Sequence, residues 1–255
     1  MERTDERLLH PGRAPRRYAV ELAGDPATRR AAQALRWRVL AGELGARLRS
    51  REPGIDHDEF DPYCDHLVVR ENATGEVVGT YRVLCPQAAG RIGGCHSDAE
   101  FDLTRLQWLR PELVEVGRSC IDPAHRSGAV IALLWSGLAR YMLAGNYSYL
   151  AGCASMSLAD GGHAAASVFE KLRARHFAPG AFRVFPRRCL PLDELDALCR
   201  ADAPPLMRGY LRAGAWICGE PAWNPDFDTA EFFMLLPLAC LSLRYARHFM
   251  GRQAA

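Results

Sequence analysis

A single α/β domain is the architecture that this 255-residue sequence predicts. Three observations lead there. Alternating, β-branched runs and helical patterns follow one another along the chain. The composition, 49% hydrophobic and 24% charged, is that of an ordinary globular protein with a core to bury. No internal repeat or low-complexity segment breaks the alternation. We therefore expect one domain over residues 18–255, a mixed central sheet flanked by helices, behind a flexible basic N-terminal arm at residues 1–17.

The arm holds Arg3, Arg7, Arg13, Arg16 and Arg17 against Glu2, Asp5 and Glu6. It reads as a solvated tail, or as a contact for an acidic protein or an anionic lipid surface. Residues 25–48 read as a helix, with Asp25 as cap and Pro26 at the first helical position. Residues 54–65 form a polar, acid-rich loop. The runs 66–72 and 76–84 alternate about Thr74-Gly75, a hairpin signal. Pro, Gly, Ser and Asp mark 86–99 as a loop, and 112–121 is a third strand. Residues 129–146 are apolar on most faces, which predicts a buried helix. A strand at 147–156, a helix at 164–176 and a short strand at 182–186 follow. Prolines open and glycine closes a helix at 204–214. Strands at 215–221 and 230–238 complete the sheet.

The totals exclude several functions. The formal net charge is +2, the same as that of residues 1–17, so the remainder is neutral and no basic body argues for nucleic acid. Every basic residue except Lys171 is arginine, so an arginine counts only within a constellation. The nine cysteines are odd in number and lack a CxxC, which suggests reduced thiols in a cytoplasmic protein rather than a disulfide framework or zinc site. The N-terminus lacks the apolar core of a signal peptide. The longest apolar run, 232–243, contains Pro237 and is short of the roughly 20 residues that cross a bilayer. Peripheral contact with the inner face of the membrane stays open.

Residues 113–128, LVEVGRSCIDPAHRSG, concentrate the chemistry. Glu115 stands in an apolar strand with Arg118 at its end. Arg126, Ser127 and Gly128 then lead into the apolar helix, where free backbone N–H groups and the positive helix end suit a phosphate. An ordinary strand-to-helix turn with a solvated arginine is the alternative. Upstream, Asp56, Asp58, Asp61 and Asp65 crowd into one loop. Counted from Asp56, the sixth and twelfth positions hold Asp61 and Leu67 where an EF-hand needs Gly and Glu, so calcium by that motif is excluded. No other metal-ligand spacing is present, and no metal is expected.

The strand, Arg/Gly turn and helix resemble the donor-binding motif of GNAT acyltransferases, although Ala129-Val130 replace the second glycine. LRWRVL (35–40), DEFD (58–61), GTYRVL (79–84) and EVGR (115–118) resemble, in that order, motifs of acyl-homoserine lactone synthases. With CDHLVV, GRSCIDPAHRSG, LLWSGLARY, GCAS, GYLRAGA, GEPA and DFDTAEFFMLLPL added, residues 30–249 are more similar to the ornithine lipid-forming L-ornithine N-alpha-acyltransferases, also labelled hemolysin-like.

The resemblance implies a GNAT-like domain, no cofactor, and transfer of a 3-hydroxyacyl chain from acyl carrier protein to the α-amino group of L-ornithine. Lyso-ornithine lipid would be the product, and a coenzyme A thioester is a further donor. An attacking amine must lose a proton, and Glu115, its pKa raised by burial, is the candidate base, directly or through water. Its structural alternative is pairing with Arg82 or Arg118. Arg36, Arg82 and Arg118 would hold the acceptor carboxylate, and Asp58 and Asp61 its ammonium. These same five could instead brace the N-terminal helix on the sheet. Backbone N–H groups near Ser119 to Ile121 would face the oxyanion. Leu40 departs from the aromatic residue common at its place.

Direct attack is expected, since Cys120 has no evident histidine partner and Cys64 has only His66 two residues away. Other readings are a different acceptor on the same scaffold (glutamine, lysine, tyrosine, or S-adenosylmethionine in a lactone synthase) and a non-catalytic module that binds carrier protein or lipid.

Overall fold

The computed structural model describes residues 17–48, 50–242 and 245. The arm expected at residues 1–17 lies outside them except for Arg17, which pairs with Glu71 at 3.0 Å. A strand not anticipated from the sequence, β1 (Tyr18–Leu22), joins β2 (Asp65–Glu71) in antiparallel register, Tyr18 opposite Glu71. It is a short edge strand with one buried residue, Tyr18, so it lacks the alternation that marks longer strands.

α1 (Pro26–Trp37) starts as expected: Asp25 Oδ1 accepts from the Thr28 amide at 2.9 Å and Pro26 occupies the first turn. The helix does not run on to residue 48. Arg38–Glu43 widen into a π-helical turn, and the chain leaves at Leu44 with Gly45 at φ +70. β3 (Val77–Leu84) pairs antiparallel with β2, and all eight of its residues are buried.

Residues 86–99, expected as a loop, form α2 (Pro86–Ile92) and a 3-10 turn at His96–Ala99. Pro86 and Gly93 (φ +93) bracket α2, so the punctuation that suggested a loop starts and stops a short helix. β4 (Phe101–Asp102) and a 3-10 segment, Thr104–Glu112, lead into β5 (Leu113–Ile121). Then come α3 (Ala129–Ala144), β6 (Tyr149–Ser157), α4 (His163–His176) and β7 (Phe185–Pro186). α5 (Pro205–Ala213), β8 (Trp216–Ile217), β9 (Ala222–Asn224) and β10 (Thr229–Pro237) follow. The strands expected at 182–186 and 215–221 thus shrink to two-residue pieces.

The main sheet has the order β1-β2-β3-β5-β6-β10-β8, with β9 also paired to β10, while β4 and β7 form a separate pair. Neighbours in the main sheet are antiparallel except β5 and β6, so it is mixed. Strand alternation gives it two faces. One carries Tyr81, Val83, Val114, Leu150, Phe232 and Met234 into a core shared with α3, α4 and α5. The other carries Leu84, Ala151, Phe233 and Leu235 against Phe101, Leu106 and Leu109 of the 95–112 segment. α1 covers Val68 and Cys120 beside it.

Candidate active site

β5 and β6 pair for three positions only: Leu113 with Tyr149, Val114 with Leu150, and Glu115 with Ala151. Both strands continue, to Ile121 and to Ser157, without pairing further with each other. They splay, leaving backbone groups of β5 beyond Glu115 without a strand partner on that side. A bulge accompanies the splay: the β3–β5 register shifts between Thr80 and Arg82, and Arg118 sits at φ +51, where a side chain is strained. At the apex Gly152 allows the closest approach, since a Cβ there would lie 2.3 Å from the Val116 carbonyl oxygen. Gly152→Ala should therefore wedge the strands, lowering stability by about 1–3 kcal/mol and abolishing turnover. Urea unfolding beside an activity assay measures both.

A cavity of ≈ 340 Å³ fills the splay and opens to both faces of the sheet. Following the registers, the α1 face contributes Arg82, Glu115, Cys153, Ser155 and Glu231, with Ser97 above them. The α3/α5 face contributes Tyr81, Val116, Leu150, Met234 and Leu236, with Met207 of α5. A polar chamber and an apolar one thus meet where the strands part.

Glu115 is 6% exposed at the base of the polar chamber. The structural alternative, pairing with Arg82 or Arg118, is not what holds it. The His96 amide donates to Oε2 at 2.6 Å, and the Ser97 amide donates to Oε1 at 2.8 Å together with the Ser97 hydroxyl. Burial raises its pKa, and the bonds from Ser97 and His96 oppose that without reversing it. His96 lines the same chamber; burial and then Arg82 and Arg118 press its pKa down to about 4, so its ring is neutral at pH 7.

The arginines and aspartates interlock. Arg36, 0% exposed, puts Nε 2.8 Å from Asp56 Oδ2, an ion pair without hydrogen-bond alignment, and donates from Nη2 to Asp61 at 2.6 Å. Arg82 donates to Asp58 at 2.6 Å and to Asp61 at 3.1 Å. Arg118 reaches Asp56 at 3.2 Å and Asp58 at 3.3 Å. His66 lies 3.5 Å from Asp61, and burial, then Arg36, lowers its pKa to about 4. Three arginines meet three aspartates, which balances the buried charge.

Of the five residues expected to bind substrate, Arg82 and Arg118 line the cavity, whereas Arg36, Asp58 and Asp61 do not. Their geometry is that of a brace tying α1 and the acidic loop to β3 and β5. Leu40 does line the cavity.

Arg126 is likewise engaged. It donates from Nη1 and Nη2 to the two oxygens of Glu43, each at 2.6 Å, and Glu43 belongs to the π-helical turn. Gly128 caps α3 at φ +79, and none of Arg126, Ser127 and Gly128 lines the cavity. Burial pushes the Cys64 and Cys120 thiols up to about 12, which leaves no thiolate for nucleophilic attack. Among the described residues no group of three or more His, Cys, Asp and Glu side chains could hold a metal ion, and no helix is long and apolar enough to cross a membrane.

Sequence reasoning missed Glu231, Ser97, His96 and the ion-pairing role of Asp56. Glu231 carried a signal equal to that of Glu115, a carboxylate within an apolar strand. The backbone donors of His96 and Ser97 carry none, because an amide N–H belongs to every residue.

A mixed sheet whose one parallel pair splays around a cavity, polar on one side and apolar on the other, defines an acyltransferase scaffold of the GNAT class. The model described as the acetyltransferase (GNAT) domain matches residues 35–136. The L-ornithine N(alpha)-acyltransferase of Rhodobacter capsulatus is 36% identical over 94% of this chain and 97% of its own. That of Brucella abortus is 35% identical over 90% and 88%. Among solved structures, FeeM, an N-acyl amino acid synthase from uncultured soil microbes, superposes with TM-score 0.55 at 14% identity, covering 88% of this chain and 91% of that one. The AHL synthase LasI gives 0.54 at 13%, covering 92% and 95%; both show the shared fold. The chain belongs to the L-ornithine N(alpha)-acyltransferase family.

Proposed function

We propose that the enzyme transfers a 3-hydroxyacyl chain from acyl carrier protein to the α-amino group of L-ornithine, forming lyso-ornithine lipid. The observation that carries this reading is the junction, in one cavity, of a polar chamber holding a buried carboxylate and an apolar chamber suited to an acyl chain. The acceptor names come from relatives that align over nearly the whole chain.

The neutral amine attacks the thioester carbonyl and forms the C–N bond. Glu115, directly or through one water, takes the amine proton. The oxyanion faces backbone N–H groups of the splayed part of β5, near Ser119 to Ile121. Collapse breaks the C–S bond, and the proton held by Glu115 leaves with the thiol. The acceptor carboxylate lies against Arg118, whose Nη1 is outside its two ion pairs, with Arg82 behind it. The donor phosphate binds at Arg126, Ser127 and Gly128 before α3, with Arg126 moving off Glu43 or sharing it. A cytoplasmic location with peripheral membrane contact suits a lipid product.

Purified protein incubated with 3-hydroxyacyl carrier protein and a pool of ornithine, lysine, glutamine and S-adenosylmethionine tests the reading by mass spectrometry. N-acyl-ornithine is the expected product, and acylation of another amine instead would overturn the acceptor. Arg126→Ala should raise the KM for acyl donor several-fold and leave the KM for ornithine unchanged. Equal rises in both would remove the loop from donor binding.

A further inference from the structure

Two buried carboxylates look into the cavity without a cationic partner, and a diamine acceptor brings two amines. Glu115 is one. Glu231 is the other, on β10 opposite Ser155 of β6. It is 6% exposed and lines the cavity. The Ser155 hydroxyl donates to Oε2 at 2.8 Å and the Thr229 hydroxyl to Oε1 at 2.6 Å. Both are neutral donors, and both residues line the cavity too.

Among the described residues no ion pair reaches Glu231, whereas the buried aspartates, Asp56 and Asp61, both sit in ion pairs. Burial pushes its carboxyl up, with Thr229 and Ser155 opposing and Arg118 acting through space. Taking a carboxylate out of water without a counter-charge is expensive. A sheet that needed only a brace between β6 and β10 could have had one from an amide or an apolar pair.

Position supports a ligand role. Alternation puts Glu231 on the same face as Glu115, two strands along the sheet across β6 and toward the open end of the splay. Cys153 lies between them along β6, within the field of both carboxylates. Arg118 stands three residues beyond Glu115 on β5, across the splay from Glu231. An amino acid whose carboxylate meets Arg118 and whose α-amine meets Glu115 would lie in the cavity that Glu231 also lines.

We propose that Glu231 is a cation subsite that selects acceptors with a side-chain ammonium, its charge completed by substrate. The inference rests on the acceptor reading given above. Norvaline has the carbon chain of ornithine without the terminal amine, and kcat/KM for both acceptors in wild-type enzyme and in Glu231→Gln tests it. With 3-hydroxyacyl carrier protein as donor, wild-type enzyme should prefer ornithine by about 100-fold, the scale of a lost buried charge partner. Glu231→Gln should lose most of that preference by a fall in ornithine alone, norvaline staying within about three-fold of its wild-type value.

An equal fall for both acceptors in Glu231→Gln makes the residue a brace and overturns the subsite. The wild-type ratio needs no variant: equal use of ornithine and norvaline overturns the subsite while acyl transfer stands. Wild-type enzyme that acylates neither overturns the acceptor reading and the subsite with it.

Discussion

Glu115→Gln is expected to lower kcat by about 10²- to 10³-fold, within the range typical of losing a general base, with the KM for donor little changed. Fold change alone would not separate a base from a brace. Glutamine can keep one carbonyl oxygen for Ser97, but its NH₂ then faces the His96 amide, which is itself a donor. The 95–98 turn could shift for that reason. The pH profile distinguishes the two roles.

Burial lifts the Glu115 pKa above the ordinary glutamate value, and a base works only when ionised. Wild-type kcat/KM should therefore fall as pH drops through an inflection above the usual glutamate range. In Glu115→Gln that acid limb should vanish from the residual rate. A slow variant that keeps the limb would make Glu115 structural and require another base.

Most of the longer strands and most helices were legible from periodicity, because half-buried strands and amphipathic helices impose their own spacing on apolar residues. β1 was not, since an edge strand with one buried residue leaves no alternation to find. α2 was hidden by its own stop and start signals. At the site, Glu115 could be singled out because a carboxylate in an apolar strand is expensive, and Glu231 could have been found by the same logic. The division of the arginines could not. Arg82 faces the cavity while Arg36 is sealed beneath the acidic loop, and that depends on which face of which strand or helix meets the splay.

Arg36→Met should show that difference as a loss of stability of about 3–5 kcal/mol, the size expected when one partner leaves a buried ion-pair network. Methionine fills much of the space but leaves Asp56 without its closest cation and Asp61 with Arg82 as its remaining arginine. A fall in the urea midpoint measures the effect. If Arg36 instead held the acceptor, the main change would be a higher KM for ornithine with the midpoint preserved.

The pH dependence adds a second reading. Burial would raise the Asp61 carboxyl, yet Arg36 and then Arg82 outweigh it and hold it well below the usual carboxylate range. A depressed folded-state pKa contributes stability that is fully present above the unfolded value, about 3.9, and is lost as pH falls toward the folded one. The gap between wild type and Arg36→Met should thus be widest near neutrality and narrow below about pH 4. A gap that is flat with pH would mean that Arg36 stabilises by filling space rather than by holding Asp61 ionised.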